Sequence, residues 1–261
     1  MTRVVNIHPE SPQPRLLAQA AEAQCSALVF TVDMPVPGSR YRDYRTGLAG
    51  APGLKGKVWR AAQAAIKPGW SWDVGLWGRP HALGNVAPVL KGKTGIEDFF
   101  AWMRNNFDPA INWRDLDFIR SEWKGPLIIK GLLHADDALK AAELGLNGIV
   151  VSNHGARQLD VAPSPITMFP SIKAAVGDKM TLMLESGVRR GSDIVIAKCL
   201  GAQFCFFGRP TLYAVAALGQ EGADQVFAIL RREIQAILTQ IGCKNFDDLN
   251  ERFLLRAGQQ P

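Results

Sequence analysis

At 261 residues with 47% hydrophobic content, the chain can bury a large core, and a single α/β domain of this size is ordinary. A net charge of +6 and a pI near 9.3 favour an anionic substrate, a phosphate-bearing cofactor or an acidic membrane surface; without a nucleic-acid motif or a long basic stripe, no nucleic-acid partner is expected. Cys25, Cys199, Cys205 and Cys243 lack metal-ligand spacing, so no metal is expected, and a chain with neither a signal-like start nor a bilayer-length apolar run is expected to be cytoplasmic, soluble or peripheral.

Taken in chain order, strand and helix patterns alternate. Residues 15–23 are rich in Ala and Leu and predict a helix, and 27–33 read as a buried strand. Between Pro35 and Trp113 the alternation breaks. The stretch 36–113 reads as an insertion, carrying Arg40, Arg42, Arg45, Lys55, Lys57, Arg60 and Lys67 ahead of the run Trp70-Ser-Trp72-Asp-Val-Gly-Leu-Trp77. A loop of this length is usually a lid or a binding surface, and basic residues interleaved with Trp suit an anionic membrane interface; a folded excursion with solvated charges is the other reading. Strand 126–130 and helix 136–144 follow, then strand Gly148–Val151 and a helix near 171–176. Strand 180–185, helix 192–200, strand 203–207 and a long helix over 223–241 complete the pattern. Strand then helix, repeated, predicts a parallel sheet with helical crossovers.

The unusual polar residues fall at the carboxyl ends of these strands. Thr31 and Asp33 end the first and Lys130 the second, His154 follows the third, Glu185-Ser186-Gly187 the fourth and Gly208-Arg209 the fifth. In a (β/α)₈ TIM barrel that rim carries the active site, so the pattern predicts this fold. The most informative segment is Ser152-Asn-His-Gly-Ala-Arg-Gln-Leu-Asp160. A histidine and an arginine three positions apart at a strand exit can face one pocket, the first to take a proton and the second to hold a carboxylate by two parallel hydrogen bonds. A helix-capping loop with a hydrogen-bonded His is the alternative.

The assembled set resembles the FMN-dependent L-2-hydroxy acid dehydrogenases and oxidases. The matching pieces are Phe30-Thr-Val-Asp33, Ile129-Lys130-Gly131, Val151 to Asp160, Ser186-Gly-Val-Arg-Arg-Gly191 and Phe207-Gly-Arg-Pro210, in family order. The insertion, with Pro37-Gly-Ser-Arg-Tyr-Arg-Asp43, most resembles the respiratory L-lactate dehydrogenase branch. The resemblance implies an FMN enzyme that oxidises a small L-2-hydroxy acid, L-lactate first, and passes electrons to a quinone or other acceptor. It makes His154 the base and Asp33 the partner of the imidazolium, with Arg157 and Arg40 on the substrate carboxylate. It places Lys130 by the flavin N1–C2=O edge and Thr31 on the isoalloxazine. Glu185 falls at the ribityl side, Ser186 is among the cofactor-binding residues, and Gly187, Arg189, Gly208 and Arg209 fall at the phosphate. A homo-oligomer, peripheral on the inner face of the cell membrane, is expected.

Two departures stand out. The family usually has Asp where this chain has Glu185; the longer side chain can weaken or reorient the flavin, while charge and acceptor count are kept. The family also begins with another helix and three strands that supply a Tyr and a Gln-x-Tyr segment; here only Val4-Val5-Asn6-Ile7 precedes the first matched helix. A partial barrel of about strands 4–8 is therefore expected, and two readings stay open: an enzyme, truncated or completed by another chain, and a non-catalytic remnant. The His-Gly-Ala-Arg-Gln-Leu-Asp segment disfavours other FMN barrels, and the absence of an early Gly-x-Gly-x-x-Gly disfavours a nicotinamide enzyme.

Overall fold

A computed structural model describes residues 3–5, 13–46, 53–78, 101–102 and 109–255. Asn6 and Ile7, and the parts of the 36–113 insertion at 47–52, 79–100 and 103–108, lie outside the described residues. Six parallel strands form one open sheet in the order of the sequence. They are β1 (Arg3–Val5), β2 (Leu28–Thr31), β3 (Leu127–Leu132), β4 (Gly148–Val151), β5 (Thr181–Glu185) and β6 (Phe204–Phe206). Sequential order with helical crossovers is the topology of a barrel wall, here a partial (β/α)₈ barrel. Strand β1, three residues long, adds one to the five strands that the sequence pattern predicts.

The crossovers are α1 (Gln13–Glu22), α5 (Asp115–Glu122), α6 (Ala135–Glu143), α7 (Pro165–Val176) and α8 (Gly191–Cys199); α9 (Arg209–Leu218) and α10 (Gly222–Gln240) follow β6. Within the insertion lie α2 (Tyr41–Arg45), α3 (Leu54–Ala65), α4 (Pro68–Trp70) and a π-helical turn at Ser71–Leu76. This part of the insertion is thus a helical excursion. None of its helices has a buried residue.

Period-two alternation divides the strand residues between two faces. Leu28 and Phe30, Leu127 and Ile129, Ile149 and Val151, and Leu182 and Leu184 pack with Leu17, Ile119, Ala138, Ala141, Phe169 and Ile172 of the helices in one buried cluster. The opposite face carries Val29, Ile128, Val150 and Met183, then Thr31, Lys130 and Glu185 at the strand ends. All the polar strand residues near the site therefore sit on the face away from the helices, at one rim. Helix α7 runs through Pro170, where the sequence pattern predicts a start at 171. Burial of Phe169 and Ile172 on either side outweighs the hydrogen bond that proline removes.

Candidate active site

The site begins with a bulge. Register between β3 and β4 slips between Lys130 and Leu132, with Gly131 the extra residue at φ +108°. A Cβ on Gly131 would lie 2.6 Å from Asp33 Cβ and 2.9 Å from the Asp33 backbone nitrogen. Only glycine combines that backbone angle with that approach. The bulge thereby lets Asp33, just past β2, lie against the end of β3.

Asp33 Oδ1 stands 3.3 Å from His154 Nδ1, with side-chain exposures of 13% and 27%, so the pair is shielded from water. His154 follows β4 on a turn of unusual handedness. His154, Gly155 and Ala156 have φ of +58°, +67° and +58°, a conformation that L-residues adopt at a cost. Side chains satisfy each of the three amides: His154 N donates to Ser152 Oγ at 3.0 Å, Gly155 N to Ser186 Oγ at 2.8 Å and Ala156 N to Asn153 Oδ1 at 3.1 Å. Arg209 Nη2 donates to the Gly155 carbonyl at 2.8 Å and ties α9 to the same turn.

Ser152, wholly buried, is the junction between this turn and a charged cluster. Its Oγ accepts from Lys130 Nζ at 3.2 Å and donates to Glu185 Oε2. The same carboxylate oxygen pairs with Lys130 Nζ at 3.3 Å and accepts from Ser186 Oγ at 3.0 Å. Burial alone would raise the Glu185 pKa, but the Lys130 charge and the hydrogen bonds from Ser152, Ser186 and Lys130 bring it below the ordinary carboxylate value. Lys130 thus has a partner that the sequence did not suggest: Glu185 reaches it from β5.

His154, Arg157, Glu185, Ser186, Gly187, Arg189, Gly208 and Arg209 line one pocket of about 260 Å³. Thr31 pairs in register with Lys130, and its Oγ1 is buried without a hydrogen-bond partner. Arg40 comes close enough to Arg157 for the two charges to interact. Burial first, and then Arg157, lowers the Arg40 pKa, and Arg40 Nε is buried without a partner. The structure therefore gathers all twelve predicted site residues at one rim. Gly131, Ser152 and Asn153 complete them. The matching segments Ile129-Lys-Gly131 and Val151 to Asp160 contain them, but no periodicity or charge pattern distinguishes a buried hydroxyl or a bulge glycine. Another cavity, about 300 Å³, lies on the helix side and is lined mainly by apolar groups with Trp113, Asn112 and Asp137. It holds none of the twelve residues.

An FMN phosphate fits the pocket rather than the start of α8. There the Arg189 and Arg190 amides are taken by Asp193, at 2.8 and 2.9 Å, and the Gly191 amide by Glu233 of α10 at 2.6 Å. The start of α9 has no side-chain cap, and Arg209 sits on it. Loops after the last two strands with an uncapped helix start make a phosphate site. The unpartnered Thr31 hydroxyl and the Lys130 ammonium suit the polar edge of a flavin ring, so the residues present fit FMN.

The FMN-dependent dehydrogenase family model matches residues 5–256. The chain belongs to this family. It is 50% identical over 242 residues to an L-lactate dehydrogenase of Caulobacter sp. (strain K31), a match covering 93% of this chain and 63% of that protein. An L-lactate dehydrogenase of Acinetobacter baylyi (strain ATCC 33305 / BD413 / ADP1) is 45% identical over 243 residues, covering 93% of this chain and 62% of the relative. The chain thus spans less than two thirds of the length of these curated relatives. Among solved structures, the monotopic membrane protein (S)-mandelate dehydrogenase superposes with a TM-score of 0.83 at 30% identity, over 97% of this chain and 66% of that one. A mandelate oxidase superposes with a TM-score of 0.68 at 30% identity, over 90% and 58%.

Gly131→Ala forces a Cβ into Asp33 at a positive φ. We expect it to cost about 1–3 kcal/mol in urea unfolding, whereas Gly145→Ala, also at positive φ but with open space around it, costs less. Equal costs would show that Gly131 has only its backbone angle to offer.

Proposed function

We propose that this pocket binds FMN and oxidises a small L-2-hydroxy acid, with L-lactate the first choice, to the 2-oxo acid. The observation that carries the reading is the His154–Asp33 pair on the same pocket as Arg157 and the uncapped start of α9. The L-lactate dehydrogenase relatives support lactate as substrate, and the mandelate enzymes support 2-hydroxy acids as a class. FMN, when bound, supplies the two-electron acceptor.

This chain's own groups do the rest. Arg157 holds the substrate carboxylate through its planar fork, and Arg40 beside it adds a second cation. With Nδ1 turned to Asp33, His154 offers Nε2 to the substrate and removes one proton, from the hydroxyl in a hydride route or from Cα in a carbanion route. Asp33 keeps the ring oriented and stabilises the imidazolium. With FMN bound, Lys130 would balance negative charge on the ring, Thr31 would hydrogen-bond its edge, and Arg189, Gly187, Gly208 and Arg209 would hold the phosphate. We take residues 36–113 as an insertion in a single barrel domain. Electrons leave to a quinone or other acceptor, and a homo-oligomer remains our expectation.

We further place the protein on the inner face of an anionic membrane. Trp59, Trp70, Trp72 and Trp77 are all more than half exposed, and Lys55, Lys57 and Lys67 stand among them. Aromatic rings with cations between them suit the headgroup layer. Among the described residues no helix is long and apolar enough to cross a membrane.

FMN-reconstituted protein should bleach its flavin on anaerobic addition of L-lactate. His154→Gln should retain FMN yet lose turnover by more than about a hundredfold, the lower end for removing a general base; retention of roughly a tenth of the activity would assign the base elsewhere. The protein should also bind vesicles of anionic phospholipid and release as salt rises. Failure to bind, with Trp70→Ser and Trp72→Ser variants behaving identically, would make the aromatic segment a protein contact instead.

A further inference from the structure

We propose that Glu185 works through Lys130, holding the ammonium in place and offsetting part of the positive charge that Lys130 presents to a flavin in the pocket. The inference rests on the flavin reading above and adds a positioning residue to it.

Reach is the first argument. Lys130 ends on β3 and Glu185 on β5, with β4 between them. Two strand spacings are about 9–10 Å, so only long side chains from both sides can meet. They meet above Ser152, whose short hydroxyl side chain bridges both. An aspartate at 185 would fall short by roughly one carbon–carbon bond, about 1.5 Å. The residue by which this chain departs from the usual family pattern is thus the one whose extra methylene closes the ion pair.

Charge balance is the second. Glu185 is the sole carboxylate among the described residues lining the pocket, against Arg157, Arg189 and Arg209. Of the carboxylates just outside it, Asp33 is engaged with His154 and Asp193 with the Arg189 and Arg190 amides. Lys130 and Glu185 have side-chain exposures of only 14% and 20%, so water screens their interaction poorly. Loss of the Glu185 charge leaves the Lys130 charge uncompensated, and that favours the anionic reduced flavin over the oxidised one.

The test compares wild type, Glu185→Gln and Glu185→Asp in the FMN-loaded protein, each also in a Lys130→Met background, by the midpoint potential of the bound flavin. The potential gives the ratio of affinities for reduced and oxidised FMN. We expect Glu185→Gln to move that ratio about tenfold towards the reduced form, and Glu185→Asp to move it less in the same direction. With Lys130→Met the effect of Glu185→Gln should fall below roughly twofold. A change within twofold in the lysine-containing protein, or an equal shift in both backgrounds, overturns the proposal. A purely structural role would alter stability but not this lysine-dependent potential.

A flavin-free measurement separates this idea from the function it rests on. Glu185 is more acidic folded than unfolded, so its pair with Lys130 stabilises fully above the ordinary carboxylate range and is lost as pH falls through the folded pKa. The groups facing it are Lys130 on β3, Ser152 beyond β4 and Ser186 beyond β5, with His154, Arg157, Arg189 and Arg209 across the pocket. Should wild type bind no FMN, the flavin reading fails on its own. The acid limb of the melting temperature then decides the pair: it should be steeper for wild type than for Glu185→Gln, and parallel limbs overturn the contact.

Discussion

The His154 imidazole rides on a turn that the backbone would not adopt unaided. Three successive residues at positive φ carry His154, and each of their amides is taken by a side chain, from Ser152, Ser186 or Asn153. Local strain of this kind persists only where the surroundings over-determine it. Here they do so through the sheet: Ser152 follows β4, Ser186 follows β5, and Arg209 fastens the Gly155 carbonyl from the first residue of α9. The orientation of His154 towards Asp33 thus depends on the relative placement of several strand ends, which the packed parallel sheet fixes.

The same hydroxyls link that turn to charge. Ser152 touches Lys130 and Glu185 as well as the His154 amide, and Ser186 touches Glu185 as well as the Gly155 amide. The proposed base and the proposed flavin-facing charge are therefore joined by one hydrogen-bond network with few exposed members. Networks of this kind hold together when fully satisfied and are costly when broken. Polar atoms left over, such as Thr31 Oγ1 and Arg40 Nε, lie where a bound flavin and a carboxylate would meet them.

The strands and the site were legible because burial and chemistry leave marks in sequence. Ile149 to Val151 is a run of buried β-branched residues, and the residues that follow it include His154 and Arg157. Other elements leave weaker marks. Helix α9 buries no residue, and α5 buries only Leu116 and Ile119 across eight residues. Strand β1 is three residues long, too short for periodicity. Ser152 and Gly131 act by small size and backbone geometry, which no charge or hydropathy pattern reveals. The Glu185–Lys130 contact depends on which strands are neighbours, so only the fold exposes it.

A crystal structure of the protein with FMN and a non-reacting 2-oxo acid would decide whether this rim is a flavin site. The phosphate should lie between Gly187–Arg189 and the start of α9, the ring edge on Thr31 and Lys130, and the acid between His154 and Arg157. A flavin held instead in the apolar cavity beside Trp113, or a ring turned away from Lys130 and His154, would contradict it.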